Sequence, residues 1–235
     1  MKKVLAFIVV GVLLMSTVPA CMAEKKDGDI AAYERLFGGF GGGPQFGIYY
    51  KPSLSKFNDY IKKELGLDGI KNLSFDGGTF RWQLNPNWQI GYNGGWICGE
   101  KEQTVNGKAN FAGVYGGYHG VLASYKIPQE KLPSDRWDVA VGGGLGWFGI
   151  CTELASIDKA NKHPEKYYWM EGNTIGGQLF VEAAYKIAKV FSIGGDISYL
   201  HAKIDDLKWA GDKISEPSEI DLSGLLIRVG PRFHF

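Results

Sequence analysis

Six charged residues stand where their side chains can share one interior: Arg81, Asp138, Glu182, Asp196, Arg228 and Arg232. Each falls on the polar side of a segment in which apolar and polar residues alternate. An unpaired charge in a narrow interior is costly, so such residues are expected to neutralise one another. We predict that the six form a charge ladder, with Asp196 and Arg228 as a direct pair. A path for a charged solute is the less favoured alternative.

A second constellation is typical of acyl hydrolysis. His119, Ser124 and Glu182 have the residue types of a base, a nucleophile and an orienting carboxylate. With a side-chain period of two, however, His119 and Ser124 point to opposite faces of their strand. The set is therefore not expected to assemble, and we predict that the protein is not an enzyme.

Cofactor and metal motifs are weak. The run Gly144–Gly149 matches G-x-G-x-x-G, but no helical pattern follows it, so no nucleotide site is predicted. Cys98 and Cys151 lack the spacing of a zinc or redox motif and are expected to be unpaired. We predict no cofactor and no metal.

Charge and composition exclude further classes of protein. The chain has 26 basic residues, and removing Lys2 and Lys3 with an export signal leaves 24 against 25 acidic ones. This balance predicts no nucleic-acid partner. The 34 glycines and 14% aromatic residues fit a tightly curved sheet with an aromatic surface.

The elements that must position these residues are strands. Period-two alternation and turn chemistry predict eight of them, at 40–50, 74–84, 88–99, 110–127, 136–150, 172–187, 190–203 and 219–235. The connections alternate between short turns and the long loops 51–73, 100–109, 151–171 and 204–218. Within the first loop, Leu54, Phe57, Ile61 and Leu65 have helical spacing. They predict a short amphipathic helix over 53–65, with Ser53 as N-cap, lying over the mouth of a barrel.

The predicted strands are apolar on the outside and polar on the inside, including Gln45, Tyr49 and Asn93. Outward aromatic residues fall into two belts, one near the short turns and one near the long loops: Trp82, Trp88, Trp96, Tyr125, Trp137, Trp147, Tyr185, Phe191 and Tyr199, with Tyr50 beside the long loops. This polarity is the reverse of a soluble barrel. We predict an all-β fold, an eight-stranded antiparallel transmembrane β-barrel. A soluble sandwich with core aromatic residues is the alternative.

The N-terminus has the pattern of an export signal, with Lys2 and Lys3 before the apolar run 4–15. We predict a signal peptide at 1–23, a periplasmic segment at 24–39 and the barrel domain at 40–235. Cleavage before Cys21, which would give a lipoprotein, remains an alternative to cleavage after Ala23.

Three segments carry a resemblance to a known family of proteins: the terminal strand 224–235, the hairpin 185–196 and the segment 120–127. With them, the chain resembles the small outer-membrane β-barrel superfamily, the OmpA/OmpX/OmpW-like group. The resemblance implies that Phe233 and Phe235 are the signal read by the barrel-assembly machinery. No OmpA-type periplasmic domain is expected after the terminal strand.

The predicted function is a structural or surface-interaction role in the outer membrane, exercised through the long loops. A narrow pore or carrier for a small apolar or amphipathic solute, lined by glycines, Phe148 and Phe180, is the first alternative. An outer-membrane lipid acyl hydrolase is the second. The expected partners are outer-membrane lipid, the assembly machinery, and a small solute or surface ligand.

Overall fold

The computed structural model describes residues 39–158, 164–217 and 219–235. The predicted signal peptide, 1–23, lies outside the described residues. So does the predicted periplasmic segment, 24–39, apart from its last residue.

Eight long strands form the wall of the fold. In chain order these are β1 (Phe40–Pro52), β2 (Ser74–Gln83), β3 (Trp88–Val105), β4 (Lys108–Lys126), β5 (Trp137–Asp158), β6 (Pro164–Ala188), β7 (Phe191–His201) and, after four two-residue strands, β12 (Gly224–His234). The short strands are β8 (Lys203–Ile204), β9 (Lys208–Trp209), β10 (Asp212–Lys213) and β11 (Ile220–Asp221). A 3₁₀ turn, Gln129–Lys131, lies between β4 and β5.

Each long strand pairs antiparallel with its neighbours, and β1 pairs with both β2 and β12. The ring is therefore closed, and its backbone polar groups are satisfied between strands. The predicted eight-stranded antiparallel barrel is confirmed. We call the end with the short connections 84–87, 127–136 and 189–190 the turn side, and the opposite end the loop side.

One bulge in β1 changes the predicted facing of two tyrosines. The β1–β12 register shifts between Gly47 and Tyr49. As a result Tyr49, predicted to face inward, is exposed, whereas Tyr50, predicted to join the loop-side belt, is buried. The Tyr50 hydroxyl donates a hydrogen bond to the Leu222 carbonyl. An extra residue reverses the alternation beyond it, which a strict period of two does not anticipate.

Two hairpins extend much further than predicted. Strands β3 and β4 continue to a two-residue turn, Asn106-Gly107, whose φ angles are 50° and 81°. Such positive φ values are what Asn-Gly turns provide, and they continue the strand ladder rather than a loop. Strands β5 and β6 likewise remain paired to Ile157 and Pro164. The predicted loops 100–109 and 151–171 are therefore largely strand.

We call the parts of these strands that rise beyond the loop-side aromatic belt the extension: 100–105, 108–115, 151–158 and 164–171. The short strand β9 adds to its edge, with Met170 opposite Trp209 and Glu171 opposite Lys208. Tyr168 packs edge-on against Trp209, with ring centroids 5.7 Å apart.

The predicted helix is present as α1 (Ser55–Leu65). Phe57, Ile61 and Leu65 on one face are buried, as their spacing predicts. The predicted cap is wrong, because Leu54 occupies the N-cap position. The backbone N–H of Ser53 instead donates to the Ser223 carbonyl, which ties the start of the helix to the residue before β12.

The loop-side half of the interior is filled with apolar side chains, contrary to the expectation of a polar lumen throughout. We call residues 54–73 and 202–222, apart from the undescribed 218, the plug. Its buried members pack with inward residues of the strands: Leu54, Phe57, Ile61, Leu65, Leu67, Ile70, Leu73, Ala202, Ile204, Leu207, Ile220 and Leu222 from the plug, and Phe75, Ile97, Val114, Tyr118, Phe148, Leu154, Met170, Leu200 and Leu226 from the wall. Helix α1 thus closes the loop-side mouth.

Ion pairs hold the rim of the plug. Glu219 lies 3.1 Å from Lys203 Nζ and 3.2 Å from Lys56 Nζ of α1. The hydrogen bond from Lys203, with that from Lys56, holds the pKa of Glu219 below its ordinary value. At neutral pH the carboxylate is therefore ionised and joins the helix to the following plug segment.

The plug should open when its central aromatic residue is truncated. We expect Phe57→Ala to destabilise the plug by about 3–5 kcal/mol, because a fully buried phenylalanine leaves a cavity. Limited proteolysis of detergent-extracted protein should then cut within 53–73 faster than in the wild type. Asp59→Ala, on the exposed face of the same helix, is the control, and equal cleavage in both variants would contradict this packing.

Candidate functional site

The lumen contains a buried ion pair, Arg228–Asp196, whose residues lie opposite each other on β12 and β7. The guanidinium Nε lies 3.0 Å from Oδ1 and Nη2 lies 3.0 Å from Oδ2, and both side chains are fully buried. Arg228 Nη1 donates to Asn93 Oδ1 at 3.1 Å, and Gln45 Nε2 donates to Asp196 Oδ1 at 3.2 Å. Such a doubly hydrogen-bonded pair is the arrangement that compensates burial of two charges.

This pair marks the boundary with the plug. The Arg228 guanidinium carbon lies 5.3 Å from the centroid of the Phe75 ring, which belongs to the apolar cluster. On the same level, Gln178 Oε1 accepts from Asn93 Nδ2 at 3.0 Å and from the Tyr118 hydroxyl at 3.4 Å. The interior therefore changes from apolar to polar across one layer of side chains.

Two arginines converge on one carboxylate in the next layer toward the turn side. Glu182 Oε2 lies 2.6 Å from Arg81 Nη2 and 3.3 Å from Arg232 Nη2. Arg81 also reaches Ser124 Oγ at 3.4 Å and lies over the Phe180 ring at 4.9 Å. All of these side chains are buried.

Asp138 does not join these arginines. It pairs with Lys126 at 3.0 Å and with Lys186 at 3.3 Å, near the turn-side mouth. Of the six residues of the predicted ladder, five therefore lie in two adjacent groups and Asp138 forms a third. Neither lysine was singled out from the sequence, although each continues the inward alternation of its strand from Ser124 or Glu182.

The hydrolase set does not assemble. His119 is exposed on the outside of the barrel, whereas Ser124 is buried inside and donates to Gln89 Oε1 at 3.3 Å. The structure brings together two other serine–histidine pairs that the sequence did not predict: Ser192 Oγ with His234 Nε2 at 2.7 Å, and Ser223 Oγ with His201 Nδ1 at 3.2 Å. Both serines are buried, so neither offers an accessible nucleophile.

Apart from Tyr50, the predicted belt residues lie on the outer surface. On the turn side they form edge-to-face or tilted pairs, Trp88 with Tyr125, Trp137 with Tyr185, and Phe191 with Phe233. Trp82 is exposed at the same end, and the exposed Trp96, Trp147 and Tyr199 lie toward the loop side. Between the two belts the exposed side chains include Val121, Leu145, Leu179, Val181, Ile193 and Ile197.

The terminal aromatic residue closes the ring at the turn side. Phe235 stacks on Phe40 with centroids 5.2 Å apart, and the two residues exchange backbone hydrogen bonds. The proposed reading of Phe233 and Phe235 by the assembly machinery stays a prediction.

The outward face of the extension carries carboxylates and aromatic rings. Paired residues form rows across the four strands. One row is Glu100, Gly113, Glu153 and Trp169, and the row above it is Glu102, Phe111, Ala155 and Tyr167. Tyr115 and Glu171 lie in the row below. We call these residues the extension face. Among the described outward residues of the extension, none is basic.

Tyr115 is anchored flat on this face. Its hydroxyl donates to Glu100 Oε1 at 2.8 Å. Its ring lies over Gly113, where an added Cβ would come within 2.6 Å of the ring. Cys98 and Cys151 flank Tyr115 in register and are free, in agreement with the prediction. Two strand spacings, about 10 Å, separate them, too far for a disulfide.

Within the described residues, no group of three or more His, Cys, Asp or Glu side chains could hold a metal ion. No helix in that part of the chain is both long and apolar enough to cross a membrane.

No protein-family model and no curated protein matches the chain. Solved structures with a similar fold include Ail, the attachment invasion locus protein of Yersinia pestis (13% identity, 84% of this chain and 97% of that chain, TM-score 0.46). They also include the outer membrane protein OprG from Pseudomonas aeruginosa (12%, 84% and 94%, 0.48) and Neisserial surface protein A (11%, 84% and 97%, 0.41). At these identities the likeness concerns the barrel fold and does not extend to function.

Removing one charge of the buried Arg228–Asp196 pair should destabilise the protein more than removing both charges. We expect Arg228→Met to lower the free energy of unfolding by about 3–5 kcal/mol, because Asp196 is left buried without its partner. The double variant Arg228→Met/Asp196→Asn should recover part of that loss. Urea unfolding in detergent micelles, followed by tryptophan fluorescence, measures both. Arg136→Met, on an exposed connection, is the control, and a double variant no more stable than the single one would refute the pairing.

Proposed function

We propose that the chain is an outer-membrane β-barrel whose apolar outer wall is buried in lipid. The support is the band of exposed apolar residues between two aromatic belts. From Trp88 to Trp96 the eight steps of a tilted strand rise about 20 Å, and from Trp137 to Trp147 ten steps rise about 25 Å. These heights suit the apolar band of a transmembrane barrel, about 25 Å.

We further propose that the barrel is a surface-interaction protein that acts through the extension face. The observation that carries the proposal is that this face stands clear of the apolar band and lies on the opposite side of the strands from the plug. Glu153, sixteen residues beyond Trp137, lies about 40 Å above the turn-side belt. Tyr167 and Trp169 are 51% and 42% exposed there, beside carboxylates. Exposed aromatic rings on a rigid sheet are typical of recognition surfaces.

The charge of the extension face favours a cationic partner. Glu100, Glu102 and Glu153 lie among aromatic rings without an intervening basic side chain, whereas Glu171 has Lys208 opposite it on β9. Carboxylates attract lysine and arginine, and the ring faces of tyrosine and tryptophan bind the same cations. The partner is therefore expected to present a basic surface or peptide.

The closed interior argues against the pore alternative. The plug fills the loop-side half, where Phe148 is buried and stacks on Tyr118 with centroids 4.5 Å apart. Phe180 is packed under the Arg81 guanidinium. Neither phenylalanine lines an open path, so the solute route predicted from them is not supported.

Membrane location has a direct test. The detergent-extracted protein should migrate differently on a gel with and without boiling, because a closed barrel resists unfolding by detergent alone. In fractionated cells it should be recovered with the outer membrane. Recovery of a boiling-insensitive protein in the soluble periplasm would overturn this assignment.

Partner recognition is tested with the triple variant Glu100→Gln/Glu102→Gln/Glu153→Gln. Binding of a labelled oligolysine peptide to protein in neutral detergent should weaken about tenfold, and more so at low salt. The control is Asp59→Asn/Asp68→Asn/Asp212→Asn, which removes the same charge from exposed positions outside this face. Equal weakening in both would mean that net charge alone attracts the peptide.

Conductance measurements distinguish the surface-interaction role from the narrow-pore alternative. Planar bilayers containing the wild-type protein should show no discrete openings. Solute-sensitive openings would favour the narrow pore instead.

A further inference from the structure

The turn-side half of the lumen has more positive than negative charge. Among its described inward residues, Arg81, Arg228, Arg232, Lys126 and Lys186 face only three carboxylates, Asp138, Glu182 and Asp196. The Arg228–Asp196 pair is balanced, and so the imbalance falls on the layers nearer the mouth. Glu182 alone serves both Arg81 and Arg232.

The two arginines that share Glu182 have unused hydrogen-bond donors. Arg81 Nε, Arg232 Nε and Arg232 Nη2 are buried and make no hydrogen bond. Arg232 Nη2 lies within ion-pair distance of Glu182 Oε2, but the geometry is not that of a hydrogen bond. Counted over the whole residue, Arg81 is 7% exposed and Arg232 is 9% exposed. Charged donors without partners in such an environment are costly, and an anion would satisfy them.

Exposure increases from this cluster toward the turn-side mouth. The side chains of Arg228, Arg81 and Arg232 are 1%, 9% and 11% exposed, and those of Asp138, Lys126 and Lys186 are 16%, 20% and 36% exposed. The turn-side mouth, where the two lysines lie, is therefore the end of the lumen from which an ion would reach Arg232. The ion cannot continue, because the buried Arg228–Asp196 pair and the plug close the way.

We propose that the turn-side half of the lumen binds one small oxyanion, with Arg232 and Arg81 as its main ligands. Guanidinium groups suit an oxyanion because their N–H groups can donate to two of its oxygens at once. The interior of an eight-stranded barrel is either filled by side chains or holds one small ligand, so the ligand must be small. Lys126 and Lys186 attract the ion to the mouth. The site is independent of the extension face, and the failure of one proposal leaves the other standing.

Calorimetric titration of the full protein with sulfate, in neutral detergent at constant ionic strength, tests the site. The wild type should bind about one sulfate per chain. Arg232→Gln should weaken binding at least tenfold, whereas Arg136→Gln, which removes an exposed arginine from a turn-side connection, should not change it. Equal sulfate binding by the Arg232→Gln and Arg136→Gln variants would overturn the proposal.

Glu182→Gln separates an anion site from a merely structural cluster. Removing this carboxylate destabilises the cluster without ligand, but it frees both arginines for an anion. Sulfate should therefore bind at least tenfold more tightly to Glu182→Gln than to the wild type. It should also raise that variant's unfolding midpoint by more, since a ligand that binds only the folded state stabilises it. If sulfate binds Glu182→Gln no more tightly than the wild type, and raises its unfolding midpoint by no more, solvent alone satisfies these donors and the site does not exist.

Discussion

The structure depends on closure of the strand ladder between β1 and β12. Without that pairing both strands would present a row of unpaired backbone N–H and C=O groups, which are costly wherever water cannot reach them. Closure is achieved even though the register shifts by one residue at Gly47 and Tyr49. The shift turns Tyr50 inward, where its hydroxyl binds the Leu222 carbonyl and ties the wall to the plug.

The closed ring encloses an interior whose two halves have different physical roles. The loop-side half behaves as a small hydrophobic core, sealed by Phe57, Ile61 and Leu65 of α1. The turn-side half is a polar network in which each carboxylate contacts at least one cation. Arg228 joins the two halves, because it pairs with Asp196 on one side and lies over Phe75 on the other.

The extension follows from the same ladder. Strands β3 to β6 stay paired beyond the apolar band, so one face can be buried against the plug while the other stays free. Val114, Leu154 and Met170 are buried on the inner face. The outer face is thereby not needed to cover the plug, which is why carboxylates and exposed aromatic rings can be accommodated there.

The sequence by itself determined the eight strands, their inward and outward faces apart from Tyr49 and Tyr50, and the buried stripe of α1, because these depend on local periodicity. It also indicated that Asp196 would meet Arg228, since adjacent strands bring them into register. Only the tertiary structure decided that Glu182 serves two arginines, that Asp138 turns to lysines, and that the loop-side lumen is apolar. Those outcomes depend on the stagger of distant strands around the ring and on how the plug folds into it, and neither is encoded in the period of any one strand.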